Sequence, residues 1–395
     1  MKRSSHTISR SLLRVLVLAG VVIASISAVP AGAADIKPRR TIRDHDPNFN
    51  TLWVDTVNDE ILVGNDAQET LQVYSRRANG LVAPLREIKG PPATDTASPH
   101  NTFVTFPGQV IIDPIHNEIW SVGNDIADLV TVHARTADGN VAPIRRINGR
   151  LPQFRFNRSW GLALDTVNDE VAVTHQKRNR ISIFARTTNT DTNPAATTNR
   201  TISGSRTGLA DPHGVFIDTT VNEIYVVNAG EAVAVVGGLP AGSTALPSIT
   251  VYARTANGNV APLRTIQGSN TELDHARPLF VDSGRHEIVV ADGGPTDAIL
   301  FFDQNANGNV APRRIIRGDR TGLSNPTGVF VDAVNDELLV ANWGNHTITV
   351  YPSGAGGNVK PRRVISPTKS RVSAGIGNPG AMYVDPERDE VGVIN

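Results

Sequence analysis

His175 and His213 stand in loops of neighbouring repeat units, where two imidazoles would relay a proton or share a zinc ion. Asn228, Asp292 and Asn342 return at one position of successive units, and their oxygens would suit a hard cation such as Ca2+. Only one of the three is a carboxylate, so the competing reading is that they cap their own strand ends. Trp160 and Trp343 offer aromatic walls to a ligand, and Arg277 and Asp292 offer charged anchors. His100, His275 and His346 are scattered and complete no set of three with His175 and His213. Cysteine is absent, which excludes disulfides, thiolate metal sites and a cysteine nucleophile. No Walker loop, Rossmann fingerprint, His-Glu-x-x-His or Gly-x-Ser-x-Gly occurs in the 395 residues.

A strongly periodic scaffold must position these side chains. A segment Asp-x-x-x-(Asn/Asp/His)-Glu returns with its glutamate at 60, 118, 170, 223, 287, 337 and 390. A period of about 50 residues indicates a solenoid or a propeller. Residues 326–365 show the unit. Val329 to Asp332 reads as a strand, Ala333 to Asp336 as a tight turn and Glu337 to Ala341 as a second strand. Thr347 to Tyr351 reads as a third strand, residues 353–361 as a Gly/Asn/Pro turn and Arg362 to Ile365 as a short fourth. Four short strands per unit without helices predict an all-β propeller of four-stranded blades. Tandem immunoglobulin-like sandwiches would need about twice as many residues per unit.

Six units are complete and a seventh is divided between the two ends of the sequence. Residues 381–385 and 390–394 supply its first two strands. Residues 36–42 match the fourth-strand segments, as comparison with residues 359–365 shows. The expectation is seven blades, the last incomplete and closed by the N-terminal strand, with a six-bladed ring as the alternative. Residues 1–34 read as a signal peptide, with Lys2, Arg3, Arg10 and Arg14 before an apolar run and small residues at its exit. The propeller domain is then 35–395. The mature protein is expected outside the cytoplasm, periplasmic, secreted or at the cell surface, with no integral membrane span.

Two loops are nearly invariant between units: the Asp-to-Glu turn, and Ala-Asn-Gly-Asn-Val-Ala-Pro, as at residues 256–262 and 306–312. Both belong to one face and read as turn chemistry. The arginines of the Arg-x-Ile pairs, such as Arg264 and Arg314, are expected to point outward and blunt the blade edge. Residues 187–201 depart from the pattern and read as a longer flexible loop. The opposite face carries the residues that differ between units. After the second strand these are Asn65, Asn124, His175, Asn228, Asp292 and Asn342. Before the first strand they are Gly108, Trp160, His213, Arg277, Thr327 and Gly380. Insertions at 91–107 and 230–246 extend that face, and the second reads as a lid or partner contact. Lys plus Arg equals Asp plus Glu at 38 each, so bulk electrostatics does not point to a polyanion, and nucleic acid is not expected as a partner.

The unit resembles NHL-type and YncE-like (YVTN-type) bacterial propellers. The likeness rests on Pro-x-Gly-Val-x-Val/Ile-Asp at 212–218 and 326–332, followed by Asn-Asp/Glu-Glu/Ile and x-Ile-x-Val-Tyr. It covers residues 36–395 and implies architecture more than activity, since the group spans interaction modules, surface proteins, lactonases and lyases. The first functional expectation is an exported binding or envelope-scaffold module without turnover. It would meet a protein or glycan at the variable face through Trp160, Arg277, Asp292 and Trp343, with no cofactor. The alternative is a hydrolase or lyase using His175 and His213, or a cation near Asn228, Asp292 and Asn342.

Overall fold

The computed structural model describes residues 42–43, 49–55, 57–65, 69–75, 80–81, 83–90, 102–123, 128–230, 246–333, 336–342, 345, 347–365, 382–385 and 390–393. The chain divides into two compact units, Met1–Ala33 and Ala34–Asn395, and every described strand belongs to the second. Among the described residues no helix is long and apolar enough to cross a membrane.

Six four-stranded antiparallel sheets follow one another along the chain, each with its strands in sequence order. Their first strands are Phe49–Asp55, Pro107–Asp113, Ser159–Asp165, Pro212–Asp218, Ala276–Asp282 and Pro326–Asp332. Sheet four is representative: Pro212–Asp218, Glu223–Asn228, Ser248–Ala253 and Arg264–Gln267. First strands of successive sheets lie against each other, so the sheets stand as blades of a β-propeller. A two-stranded sheet, Met382–Asp385 with Glu390–Val393, follows. Its first strand touches the first strands of both sheet one and sheet six.

Cores form between blades, not within them. One joins Trp120, Val130 and Ile147 of sheet two to Phe154, Phe156 and Phe184 at sheet three. Another joins Tyr225, Ile249 and Val251 of sheet four to Ile288, Leu300 and Phe302 of sheet five. Sheets two to five are covered on both faces, which explains why their inner strands read as nearly continuous Val, Ile and Phe. Trp120 is fully buried and Trp53 packs partly buried against this core.

The Asp-to-Glu turn is explained by two local demands. Its aspartate receives turn N–H groups: Asn58 N–H donates to Asp55 Oδ1 at 3.0 Å, Asn168 to Asp165 at 2.9 Å and Arg285 to Asp282 at 3.0 Å. Its fifth residue is left-handed, with φ of 56° at Asp59, Asn117 and Asn222, 58° at Asp169 and 55° at His286 and Asp336. Asn, Asp and His tolerate that conformation better than branched residues.

The glutamate after the turn ties blades together. Glu60 receives Arg86 of its own fourth strand at 2.8 Å and Arg135 of the next blade at 2.6 Å. Glu118 lies 2.7 Å from Arg145 and 2.8 Å from Arg186, and Glu170 is held by Arg200 and, at 3.0 Å, by Arg254. In sheet four the second arginine is replaced by Gln304, which donates to Asp218 at 3.1 Å and to the Tyr225 hydroxyl at 2.9 Å. The Arg-x-Ile arginines therefore face inward onto glutamate, correcting the outward orientation expected from the alternation. A buried carboxylate is a stronger attractor for a guanidinium than open water.

The Asn-Gly loop is a second clasp. Gly258 N–H donates to Thr201 O of the preceding blade at 2.6 Å, and Asn257 Oδ1 accepts Thr201 N–H at 3.0 Å. Gly308 repeats this on Thr265 at 2.6 Å, with φ of 80° and 83° at the two glycines. Residues 187–201 are also docked: Thr190, 4% exposed, donates its N–H to Arg146 O at 2.8 Å, so this segment is a clasp without glycine and not a loose loop. Ile42 pairs in parallel with Gly80, the register in which Ile202 meets Gly258 and Ile266 meets Gly308.

Candidate functional site

The variable face carries the connections into the first strands and those between second and third strands. Every first strand in the six sheets has a register irregularity just after its opening residue. A bulge frees a side chain from the ladder and re-aims it, here at the variable-face end, or rim, of the first strands. The second strand-residue sits there: Gly108, Trp160, His213, Arg277 and Thr327 in sheets two to six.

Trp160 and His213 come together across the boundary of sheets three and four, with ring centroids 5.8 Å apart and 37° between planes. A short relay fixes them. Gly161 N–H donates to Thr174 Oγ1 at 2.8 Å, and Thr174 Oγ1 donates to His213 O at 2.9 Å. A Cβ on Gly161 would lie 2.4 Å from His213 O, so only glycine allows this approach. His213 Nε2 is 3.6 Å from Asp211 Oδ2.

Arg277 holds the same place in sheet five. It is half-buried and enters no hydrogen bond or ion pair among the described residues. Burial lowers its pKa, and the field of Asp292 offsets this only in part. Trp160, His213 and Arg277 thus bring an indole, an imidazole and a guanidinium to the same strand position on three consecutive blades. Such groups can stack a planar or saccharide ring and pair an oxyanion.

His175 is elsewhere. It is fully buried, with Nδ1 at 2.9 Å from Ser159 Oγ, Nε2 at 3.0 Å from Ser182 Oγ and its ring 3.9 Å from that of Phe156. Burial, with Arg180 nearby, holds it neutral with a pKa well below the histidine range. Its two nitrogens are committed to serine hydroxyls, so it is not paired with His213 for proton relay or zinc. Asn228 Oδ1 accepts Ala210 N–H at 3.1 Å while its amide donates to Ser248 and Thr250. Asn342 Oδ1 accepts Ser324 N–H at 3.1 Å and its amide donates to Thr349. Asp292 accepts Asp274 N–H at 2.7 Å, His275 N–H at 2.8 Å and Gly294 N–H at 3.2 Å. Burial pushes its carboxyl up, against those three N–H groups.

These three side chains each brace the connection within their own blade. They do not converge as free oxygens, so the residues do not fit a Ca2+ site. Among the described residues no group of three His, Asp or Glu is placed to hold a metal. In sheet two the matching second-strand residue is Gly123, paired with Pro107, and not Asn124. Trp343, Gly380, residues 91–101 and residues 231–245 lie outside the described residues. The end of the first insertion packs inward, with Thr102, Val104 and Thr105 buried.

Sequence reasoning missed a basic cluster at sheet three, comprising Arg155, Arg178 and Arg180. The run Lys177-Arg178-Asn179-Arg180 was visible, but the balanced total charge concealed it.

No family model matches the chain, and no curated protein matches it. Among solved structures it is similar to the WD40 β-propeller domain of Doa1, at 11% identity and a TM-score of 0.59, over 90% of this chain and 92% of that one. That likeness supports a β-propeller fold.

Proposed function

We propose that this protein is an exported, non-catalytic binding module, a seven-bladed propeller of the NHL/YncE kind, that captures an acidic ligand at Trp160, His213 and Arg277. The observation that carries this reading is the half-buried Arg277 guanidinium, without a hydrogen-bond or ion-pair partner among the described residues, at the strand position that Trp160 and His213 hold in the two preceding sheets. A half-desolvated cation left open at a rim is favourable mainly when an anion completes it. Seven blades are supported by the strand Met382–Asp385, which bridges sheets six and one, and by the clasp register of Ile42 on Gly80. Export is supported by the basic start and apolar run of residues 1–34. The hydrolase or lyase reading has no comparable support, because His175, Asn228, Asp292 and Asn342 serve the protein's own backbone and hydroxyls.

The test is calorimetric titration with tetragalacturonate, its neutral methyl ester and a short glutamate-rich peptide. At least one acidic probe should bind, and the methyl ester should bind at least tenfold more weakly. Arg277→Gln and Trp160→Ala should each weaken the acidic probe roughly tenfold or more without changing the melting temperature. Equal binding of acid and ester, or indifference to Arg277→Gln, would overturn the reading.

A further inference from the structure

Three cations from two connections, Arg155, Arg178 and Arg180, lie within reach of one another's charge at sheet three, and Arg150 and Lys177 belong to the same connections. Arg150 and Arg155 lie in the segment entering the sheet, and Lys177, Arg178 and Arg180 in the 3-10 turn Gln176–Arg178 and the strand after it. Backbone hydrogen bonds lock the two together: Gln176 N–H donates to Arg158 O at 3.1 Å and Lys177 N–H to Asn157 O at 3.3 Å. Arg180 Nη1 donates to Phe154 O at 2.6 Å, while its buried Nε has no partner. Arg155 is held at φ 49°, an uncommon conformation for a long side chain. None of the five enters an ion pair among the described residues.

The repulsion is recorded at Arg180, whose pKa falls through burial and then through Arg178 and Arg155. The carboxylates on neighbouring elements are engaged otherwise. Asp128 Oδ1 accepts Ser159 N–H at 3.4 Å, and Asp211 faces His213. Like charges gathered by the backbone, with no ion pair among the described residues, raise the local positive potential and attract an anion.

Resting on the rim reading above, we infer that the ligand is an acidic polysaccharide bearing repeated sulfate or phosphate groups. It runs from Trp160 and His213 outward over Arg155, Arg178 and Arg180. Several cations spread over two connections fit a chain of oxyanions better than one small ion. The indole next to Arg158 in the chain, two residues along, supplies a face for one sugar ring. A single-stranded nucleic acid site would instead carry several aromatic platforms along its basic track. Here the variable face of sheet three offers one indole.

Binding of the full chain is measured against dextran sulfate, neutral dextran, a polythymidine oligonucleotide and vesicles of equal phosphatidylglycerol and phosphatidylcholine. Dextran sulfate should bind, weaken steeply as salt rises, and lose at least tenfold in affinity with Arg155→Glu/Arg178→Glu. Both side chains are exposed, and an unchanged melting temperature certifies the variant. No binding of dextran sulfate at low salt, no effect of the double variant, or tighter binding of the oligonucleotide or vesicles would overturn the inference. Loss through Arg277→Gln but not through Arg155→Glu/Arg178→Glu would overturn it and leave the rim reading standing. The reverse pattern would sustain the cluster and remove Arg277 from the site.

Discussion

The two faces of the propeller use arginine in opposite ways. On the face of the invariant turns, Arg86 and Arg135 enclose Glu60, and Arg200 and Arg254 enclose Glu170. Burial alone would raise these carboxyls, and the guanidiniums more than reverse it, leaving both below the usual range. On the variable face Arg155, Arg178, Arg180 and Arg277 meet no carboxylate at ion-pair distance among the described residues. The first arrangement is structural: each of these carboxylates is enclosed by one arginine of its own blade and one of the next. The second leaves charge exposed to whatever approaches. Equal totals of acid and base thus describe two unequal surfaces.

The largest test of this contrast is Glu170→Gln. Removing the carboxylate strands two guanidiniums and should cost about 3 kcal/mol of unfolding free energy, read from denaturant midpoints. Glu223→Gln should cost less, because its neighbouring blade supplies Gln304 where the blades beside Glu60, Glu118 and Glu170 supply arginine. An equal loss at both sites would break the two-arginine clasp as the explanation.

Acid separates the faces next. His175 and His133 are buried and neutral, and burial lowers the His133 pKa to about 4 beside the Thr102 and Val141 backbone. As pH falls below about 6.5 the unfolded chain takes up these protons and the folded one does not, so stability declines. His133 removes on the order of 3 kcal/mol by pH 4, and His175 acts in the same direction. The clasp glutamates, lowered when folded, withdraw their contribution only as pH falls through about 4.5 and below. Asp292, raised when folded, acts in the opposite direction. His175→Asn, the residue at the matching place in sheets four and six, should therefore flatten the slope between pH 6.5 and 4.5. An unchanged slope would remove His175 from this account.

Gly161→Ala comes third, at about 2 kcal/mol, because its methyl would press on His213 O. It should also weaken any rim ligand, which Glu170→Gln should not. Smallest is Arg178→Glu, expected to leave stability within about 0.5 kcal/mol or raise it slightly, since it relieves Arg180. A clear destabilisation there would show that Arg178 has a structural partner and would erase the contrast between faces.

The repeat, the four-strand unit and the turn chemistry were legible because they are local. Asp218 at the head of a turn, Asn222 at a left-handed residue and alternation in Ser248–Ala253 each follow from a few neighbouring residues. The candidate site was legible only in part. Trp160, His213 and Arg277 were picked out because they break a repeating position, and the fold sets them on consecutive blades. His175, Asn228, Asp292 and Asn342 break the same pattern, yet they are consumed by the backbone of their own blades. Sequence shows that a position is polar but not which hydrogen bonds already satisfy it.

Sequence by itself thus determined a propeller built from one repeated unit, since strand length, turn type and apolar alternation are set within about ten residues. Tertiary structure alone decided which charges are spent. The ion pair of Arg254 with Glu170 joins residues 84 apart in the chain. The crowding of Arg155, Arg178 and Arg180 joins two separate connections. Whether a guanidinium is matched depends on through-space distance and burial, and neither is encoded in a local window.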